Sequence, residues 1–143
     1  MDLKKMEGLK DVLVATDFSP PAWQAVLSGI RLAKISRATV NLVHITTPSS
    51  DKAYFEELKS KLENIAKNLS SIYGVKVQSL VVEGQPWEEI EKFIERLDID
   101  MVVMGLNGTG GNEIGSLTGY LMHHLSCPVT VVPATKPEPV LTT

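Results

Sequence analysis

The chain has 143 residues, 43% hydrophobic and 22% charged, with 14 Lys plus Arg against 17 Asp plus Glu. That length and balance suit one domain with a buried core and argue against general disorder. The net charge of -3 leaves no overall basic footprint for nucleic acid, and Cys127, as the single cysteine, excludes an intrachain disulfide.

No apolar run approaches the roughly 18–20 residues of a membrane-spanning helix, and Met1 to Lys10 lacks the apolar core of a secretory signal. The expectation is a soluble, cytoplasmic protein with neither a membrane nor a nucleic-acid partner. A short lead (1–8), a domain (9–133) and a mobile tail (134–143) containing Pro137 and Pro139 follow from the pattern.

Asp11 to Thr16 is a short, almost wholly apolar run, as expected of a parallel strand covered on both faces. It stops at Asp17-Phe-Ser-Pro-Pro21, where Ser19 is placed to cap a helix and Pro20 to begin it. Ala22, Val26, Ile30 and Ala33 then recur at helical spacing, and Thr39 to Ile45 reads as a second strand. A turn at Pro48 leads into a long helix from about residue 51 to 73, with Leu58, Leu62, Ile65, Leu69 and Ile72 as its buried stripe. Glu57 with Lys61 and Glu63 with Lys67 are spaced as solvated i,i+4 pairs, each contributing about 0.2–0.5 kcal/mol.

Gly74 ends that helix, and Val75 to Glu83 forms a third strand. Gly84-Gln-Pro-Trp-Glu-Glu89 opens a helix whose apolar face is Trp87, Ile90, Ile94 and Leu97. Asp100 to Met104 is a fourth strand running into the glycine-rich stretch 105–115. A helix over about 115–125 and a last strand, Pro128 to Val132, complete a βαβαβαβαβ order. Such alternation implies a parallel sheet with helices on both faces and right-handed crossovers, a single doubly wound α/β domain.

In open α/β sheets ligands bind beyond the carboxyl ends of the strands, where strand order reverses. Two segments carry suitable chemistry there: Thr16-Asp17-Phe18-Ser19, and Gly105-Leu-Asn-Gly108 with Gly115-Ser116 at a helix start. Glycines let backbone approach closely, and a helix N-terminus offers free N–H groups to phosphate oxygens. Asp17 is suited to hydrogen-bonding a ribose or adenine edge or holding a metal-bound water, and equally to capping the first helical turn. The glycine stretch reads either as a phosphate cradle or as a plain connection, and Ser116 either as a phosphate ligand or as an N-cap.

There is no P-loop signature, no GxGxxG after the first strand and no nucleophile elbow. Adjacent His123 and His124 diverge by about 100° on a helix, so no metal site is expected. Cys127, Trp23 and Trp87 read as packing groups, and no catalytic residue is assigned.

From residue 9 to 133 the chain resembles the universal stress protein family. Val12-Leu-Val-Ala-Thr-Asp-Phe-Ser19, Val43-His44-Ile45, Gly84-Gln-Pro86, Asp98 to Gly105 and Ser126 to Val132 carry the likeness in order and spacing. The resemblance implies a five-stranded sheet in order 3-2-1-4-5, commonly in a homodimer paired through the last strand. It implies two groups of members, those that bind ATP and those that do not.

In ATP-binding relatives the pattern is GxxG, nine residues, then G[ST]. Here six residues, Thr109 to Ile114, separate Gly105-Leu-Asn-Gly108 from Gly115-Ser116. Three fewer residues remove up to about 10 Å of contour from a loop that must reach over phosphates. The segment from Gly105 to Leu125 holds no Lys or Arg, so a triphosphate would rely on backbone N–H groups, hydroxyls and Mg2+.

Carried over by position, Ala15, Thr16 and Asp17 line the adenosine side and Ile45 lies beside the base. Gly105, Gly108, Gly115, Ser116 and Leu117 meet phosphates and ribose. The resemblance thus implies an ATP-binding regulatory protein of the stress response. Its alternative is an ATP-independent dimeric interaction protein whose shortened loop has lost the nucleotide. At most it would be a slow ATPase.

Overall fold

Val12, Leu13 and Val14 are wholly buried, so consecutive residues of the first strand face apolar surroundings on opposite sides of the sheet. The computed structural model describes residues 8–48, 51–105 and 116–133, with the backbone alone at 116–118. Five strands, β1 (Asp11–Ala15), β2 (Thr39–Thr46), β3 (Val77–Glu83), β4 (Met101–Gly105) and β5 (Val129–Val132), pair in the order β3-β2-β1-β4-β5, all parallel.

The chain steps from β1 through β2 to β3 in one direction and then returns past β1 to β4 and β5. Right-handed crossovers therefore put α1 (Pro20–Ser36) and α2 (Lys52–Tyr73) on one face and α3 (Pro86–Leu97) and α4 (Ser116–His124) on the other. The two cores agree. Val12, Val14 and Leu42 pack with Val26, Ile30 and Leu62 from α1 and α2. Leu13, Val43 and Val102 pack with Ile90 and Phe93 of α3 and Leu121 of α4. Gly29 lets α1 lie close to β1, since an added Cβ would stand 2.5 Å from Val14 Cγ2.

Helix ends follow local chemistry. Ser19 Oγ accepts the Ala22 N–H at 3.4 Å ahead of Pro20, and Asp51 Oδ1 accepts the Tyr54 N–H at 3.0 Å. Gly74 closes α2 in the left-handed region at φ 67°, as expected of a glycine stop. Arg37 (φ 59°) and Asp98 (φ 53°) close α1 and α3 in the same conformation without that freedom.

Several local expectations need correction. β3 starts at Val77 rather than Val75, and β1 ends at Ala15. Ile72 is 71% exposed, and Ala66 stands in the buried stripe instead. The 22 residues of α2 span about 33 Å, whereas the 7 strand residues of β3 span about 23 Å, so one end of the helix overhangs the sheet. On α3 the buried pair is Ile90 and Phe93, while Trp87 is half-exposed against Tyr120, with ring centroids 5.4 Å apart. Tyr120 in turn stacks on His124 at 4.0 Å. Neither i,i+4 pair on α2 forms: among the described residues the one ion pair is Lys92 with Glu89 at 3.3 Å.

The amino edge of the sheet is closed by a polar brace. Asp100 Oδ2 accepts the backbone N–H groups of Lys10 at 2.8 Å and Asp11 at 3.0 Å. Asn41, 1% exposed in the middle of an apolar strand, donates through Nδ2 to Asp11 Oδ1 and to Val12 O, each at 3.3 Å. Its burial is tolerated because the amide finds acceptors.

Candidate functional site

At the opposite, carboxyl edge, pairing of Val14 with Val103 brings the ends of β1 and β4 side by side. This is the place where the strand order reverses. The chain leaves β1 at Thr16, which is buried and donates its N–H to Val43 O at 2.9 Å.

The next residues fold back through their own side chains. Thr16 Oγ1 accepts the Phe18 N–H at 3.0 Å, and Asp17 Oδ1 accepts the Ser19 N–H at 2.9 Å. These are turns of the kind Thr and Asp favour, with Ser19 then capping α1. Asp17 is exposed and keeps Oδ2 directed to no partner among the described residues. Phe18 takes the left-handed conformation at φ 66°, which costs a side-chain-bearing residue about 1–2 kcal/mol.

Two contacts hold Phe18 there. Its ring centroid lies 4.6 Å from that of His44, and Lys61 Nζ sits 4.2 Å from the Phe18 centroid. His44 Nδ1 is 2.8 Å from Thr16 O. A carbonyl only accepts, so Nδ1 carries the hydrogen and His44 ties β2 to the turn.

Ala15 and Ile45 are half-buried, packed against the core on the α3/α4 face, and Phe18 packs against the α1/α2 core. Ile45 lies two residues beyond Val43, which pairs with Ala15, and so stands level with the turn. Gly84 then connects β3 to α3, its N–H donating to Thr46 O at 3.0 Å and its φ at 154°. At that φ any side chain would be strained, and an added Cβ would also press on the Glu89 side chain, so the position favours glycine.

Of the residues expected to form a site, Ala15, Thr16, Asp17, Ile45 and Gly105 lie at this one edge of the sheet. Ser116 and Leu117 form the backbone of the first turn of α4, where amide N–H groups lack intrahelical partners. Gly108 and Gly115 lie outside the described residues.

Sequence reasoning missed His44 and Phe18 as organisers of the turn. A histidine at the carboxyl end of a buried strand was the available signal, while the Phe18 backbone conformation has none. Among the described residues no cluster of three or more His, Cys, Asp or Glu is arranged to hold a metal ion. Burial pushes the Cys127 thiol up, with Asp100 adding to the shift and backbone hydrogen bonds opposing it, so the thiol stays protonated near neutrality. No described helix is long and apolar enough to cross a membrane.

Comparison with known proteins gives this geometry a context. The sequence profile described as the universal stress protein family matches residues 8–133. Universal stress protein MJ0531 of Methanocaldococcus jannaschii is 29% identical, over 90% of this chain and 85% of its own. A universal stress protein solved in complex with cAMP superposes with a TM-score of 0.72 at 18% identity, covering 89% of this chain and 98% of that one. The universal stress protein of Archaeoglobus fulgidus in complex with dAMP gives 0.69 at 20% identity, covering 86% and 96%.

Proposed function

The chain belongs to the universal stress protein family, and from that premise we propose that it is an adenine-nucleotide-binding regulatory protein of the stress response. The observation that carries the reading is the convergence at one sheet edge of Asp17, the end of β2 at Ile45, Gly105 and the N-terminus of α4. Relatives of the same fold hold cAMP and dAMP, which supports an adenosine ligand.

In this reading Ala15, Thr16 and Ile45 border the adenine, and Asp17 accepts hydrogen bonds from the ribose hydroxyls. Gly105, Gly108, Gly115, Ser116 and Leu117 take the phosphates on backbone N–H groups. ATP is the proposed nucleotide. With Asp17 as the carboxylate of this set, Mg2+ would be held chiefly by the phosphates themselves, in keeping with its reluctance to shed water. Nucleotide occupancy would alter what that edge presents to a partner, by as much as the nucleotide discriminates between two states of the protein. We further propose a homodimer through β5, whose outer edge has no strand neighbour among the described residues, acting in the cytoplasm.

Calorimetric titration of nucleotide-free protein with ATP and magnesium, with ADP and AMP alongside, tests the site. Micromolar ATP binding is expected. Absence of both heat and a shift in melting temperature would overturn it and favour the ATP-independent interaction protein, which the six-residue spacing between Gly108 and Gly115 supports. Restoring three residues to that loop would then create affinity. Sedimentation showing only monomer at tens of micromolar would overturn the dimer.

A further inference from the structure

A cavity of about 140 Å3 opens between α1 and α2, on the face of the sheet opposite the proposed adenine contacts Ala15 and Ile45. Its inner wall is apolar: Val26 and Leu62, both fully buried, with Leu42 behind them and Ile65 beside them. Its rim is aromatic, formed by Phe18 and by Trp23, which is 40% exposed. Cavities of this size with aliphatic and aromatic linings accept a benzene-sized molecule.

Two polar groups break the apolar lining. Lys61 contributes an ammonium that has no carboxylate within ion-pair distance among the described residues, although Glu57 stands one turn away. Thr16, 8% exposed, uses its Oγ1 to accept the Phe18 N–H, and its own hydroxyl hydrogen has no acceptor among the described residues. An apolar interior with one cation and one hydroxyl donor at its margin is complementary to a small molecule with an apolar body and one anionic head.

We propose that this cavity is a second ligand site, taking a small apolar monocarboxylate. Its ring or branched chain fills the space against Val26, Leu42 and Leu62, and its carboxylate meets Lys61 Nζ and the Thr16 hydroxyl. Neutral analogues bind less well, because they offer the ammonium no opposite charge. The site shares Thr16 with the nucleotide reading but uses neither Asp17 nor the glycine stretch, and Val26 and Lys61 belong to it alone. Thr16 and Phe18 flank Asp17 in sequence, so an occupant also braces the turn that presents the carboxylate at the sheet edge.

The experiment uses full-length protein carrying Trp87→Phe, which leaves Trp23 as the single indole and places the reporter on the cavity rim. Benzoate is titrated with Trp23 emission and backbone amide shifts as readouts, and benzyl alcohol serves as a neutral probe of similar size. The expected result is saturable benzoate binding, with benzyl alcohol and the Lys61→Gln variant each weaker by about tenfold. Val26→Phe, which fills the cavity, should abolish it. No saturable change up to about 10 mM benzoate overturns the proposal. So does equal binding of benzyl alcohol, undiminished binding in Lys61→Gln, or retained binding in a cooperatively melting Val26→Phe variant. If Val26→Phe does not fold, the surface substitution Lys61→Gln and the neutral probe decide the matter.

Discussion

The two edges of the one sheet solve different problems with similar residues. At the amino edge, Asp100 Oδ2, Asp11 Oδ1 and Asn41 Nδ2 tie backbone and side chains of three strand ends together, and the result is a brace. At the carboxyl edge, Asp17 is exposed with one oxygen engaged, Phe18 is held in a costly conformation, and Lys61 lies over a ring rather than in an ion pair. A carboxylate such as Asp100, whose Oδ2 takes two backbone N–H groups from a segment some ninety residues earlier, belongs to stability. Asp17, exposed beside a left-handed residue and bonded only within its own turn, is the carboxylate proposed to meet a ligand.

The sharpest way to break this contrast is Asn41→Ala at the closed edge. It removes a buried amide from two acceptors and should destabilise the fold by about 2 kcal/mol in denaturant unfolding. Nucleotide affinity should be unchanged, and a parallel loss of affinity would mean that the edges are not separable. The mirror experiment is Asp17→Asn, which keeps an oxygen for the Ser19 N–H and discards the charge. ATP affinity should fall about tenfold, or about 1.4 kcal/mol, while the unfolding midpoint stays near that of the parent protein. A shifted midpoint with unaltered affinity would turn Asp17 into another Asp100.

A smaller effect separates useful strain from incidental strain. Arg37→Gly relaxes a left-handed residue at the end of α1, away from the proposed site, and should raise stability by about 0.5–1 kcal/mol without touching binding. The smallest effect belongs to Cys127. Its raised thiol pKa means that the folded protein stays protonated where the unfolded chain ionises. Its contribution is therefore intact below the ordinary thiol range and is lost as pH climbs through it. Stability curves of Cys127→Ala should be flatter than those of the parent protein on the alkaline side.

The closed edge was the less legible of the two in the sequence. Asn41 is an isolated polar residue in an apolar run, and its partners Asp11 and Val12 are revealed only by strand register. Asp100 binds residues some ninety positions earlier, which no local pattern encodes. Helix starts were legible because Ser19 and Pro20 act on their immediate neighbours, as was the Gly74 stop. The helix ends at Arg37 and Asp98 were not, because they close in the left-handed region without the glycine that signals such a stop. The strand order came through family resemblance, since alternation alone dictates a parallel sheet and leaves its order open.

At the open edge, Asp17 stood out by its place after the first strand. Lys61 misled: its spacing from Glu57 suggested a solvated pair, and its ammonium lies over Phe18 instead. Trp87 misled in the same way, because helical periodicity names a face but not how far the neighbouring α4 extends to cover it.

The sheet order also bears on how the protein is made. β1 leaves the ribosome before both of its neighbours, and it pairs on one side with β2, which follows soon after. Its other side waits for β4, with Asp11 and Asp100 separated by 89 residues. At about 5–20 residues per second, that flank stays unpaired for roughly 5–20 s while the β1–β3 half is already able to assemble. A nascent chain thus carries the apolar run Val12-Leu13-Val14 with one hydrogen-bonding side vacant, and the arrival of β4 both completes the sheet and ends the interval in which a chaperone has something to hold.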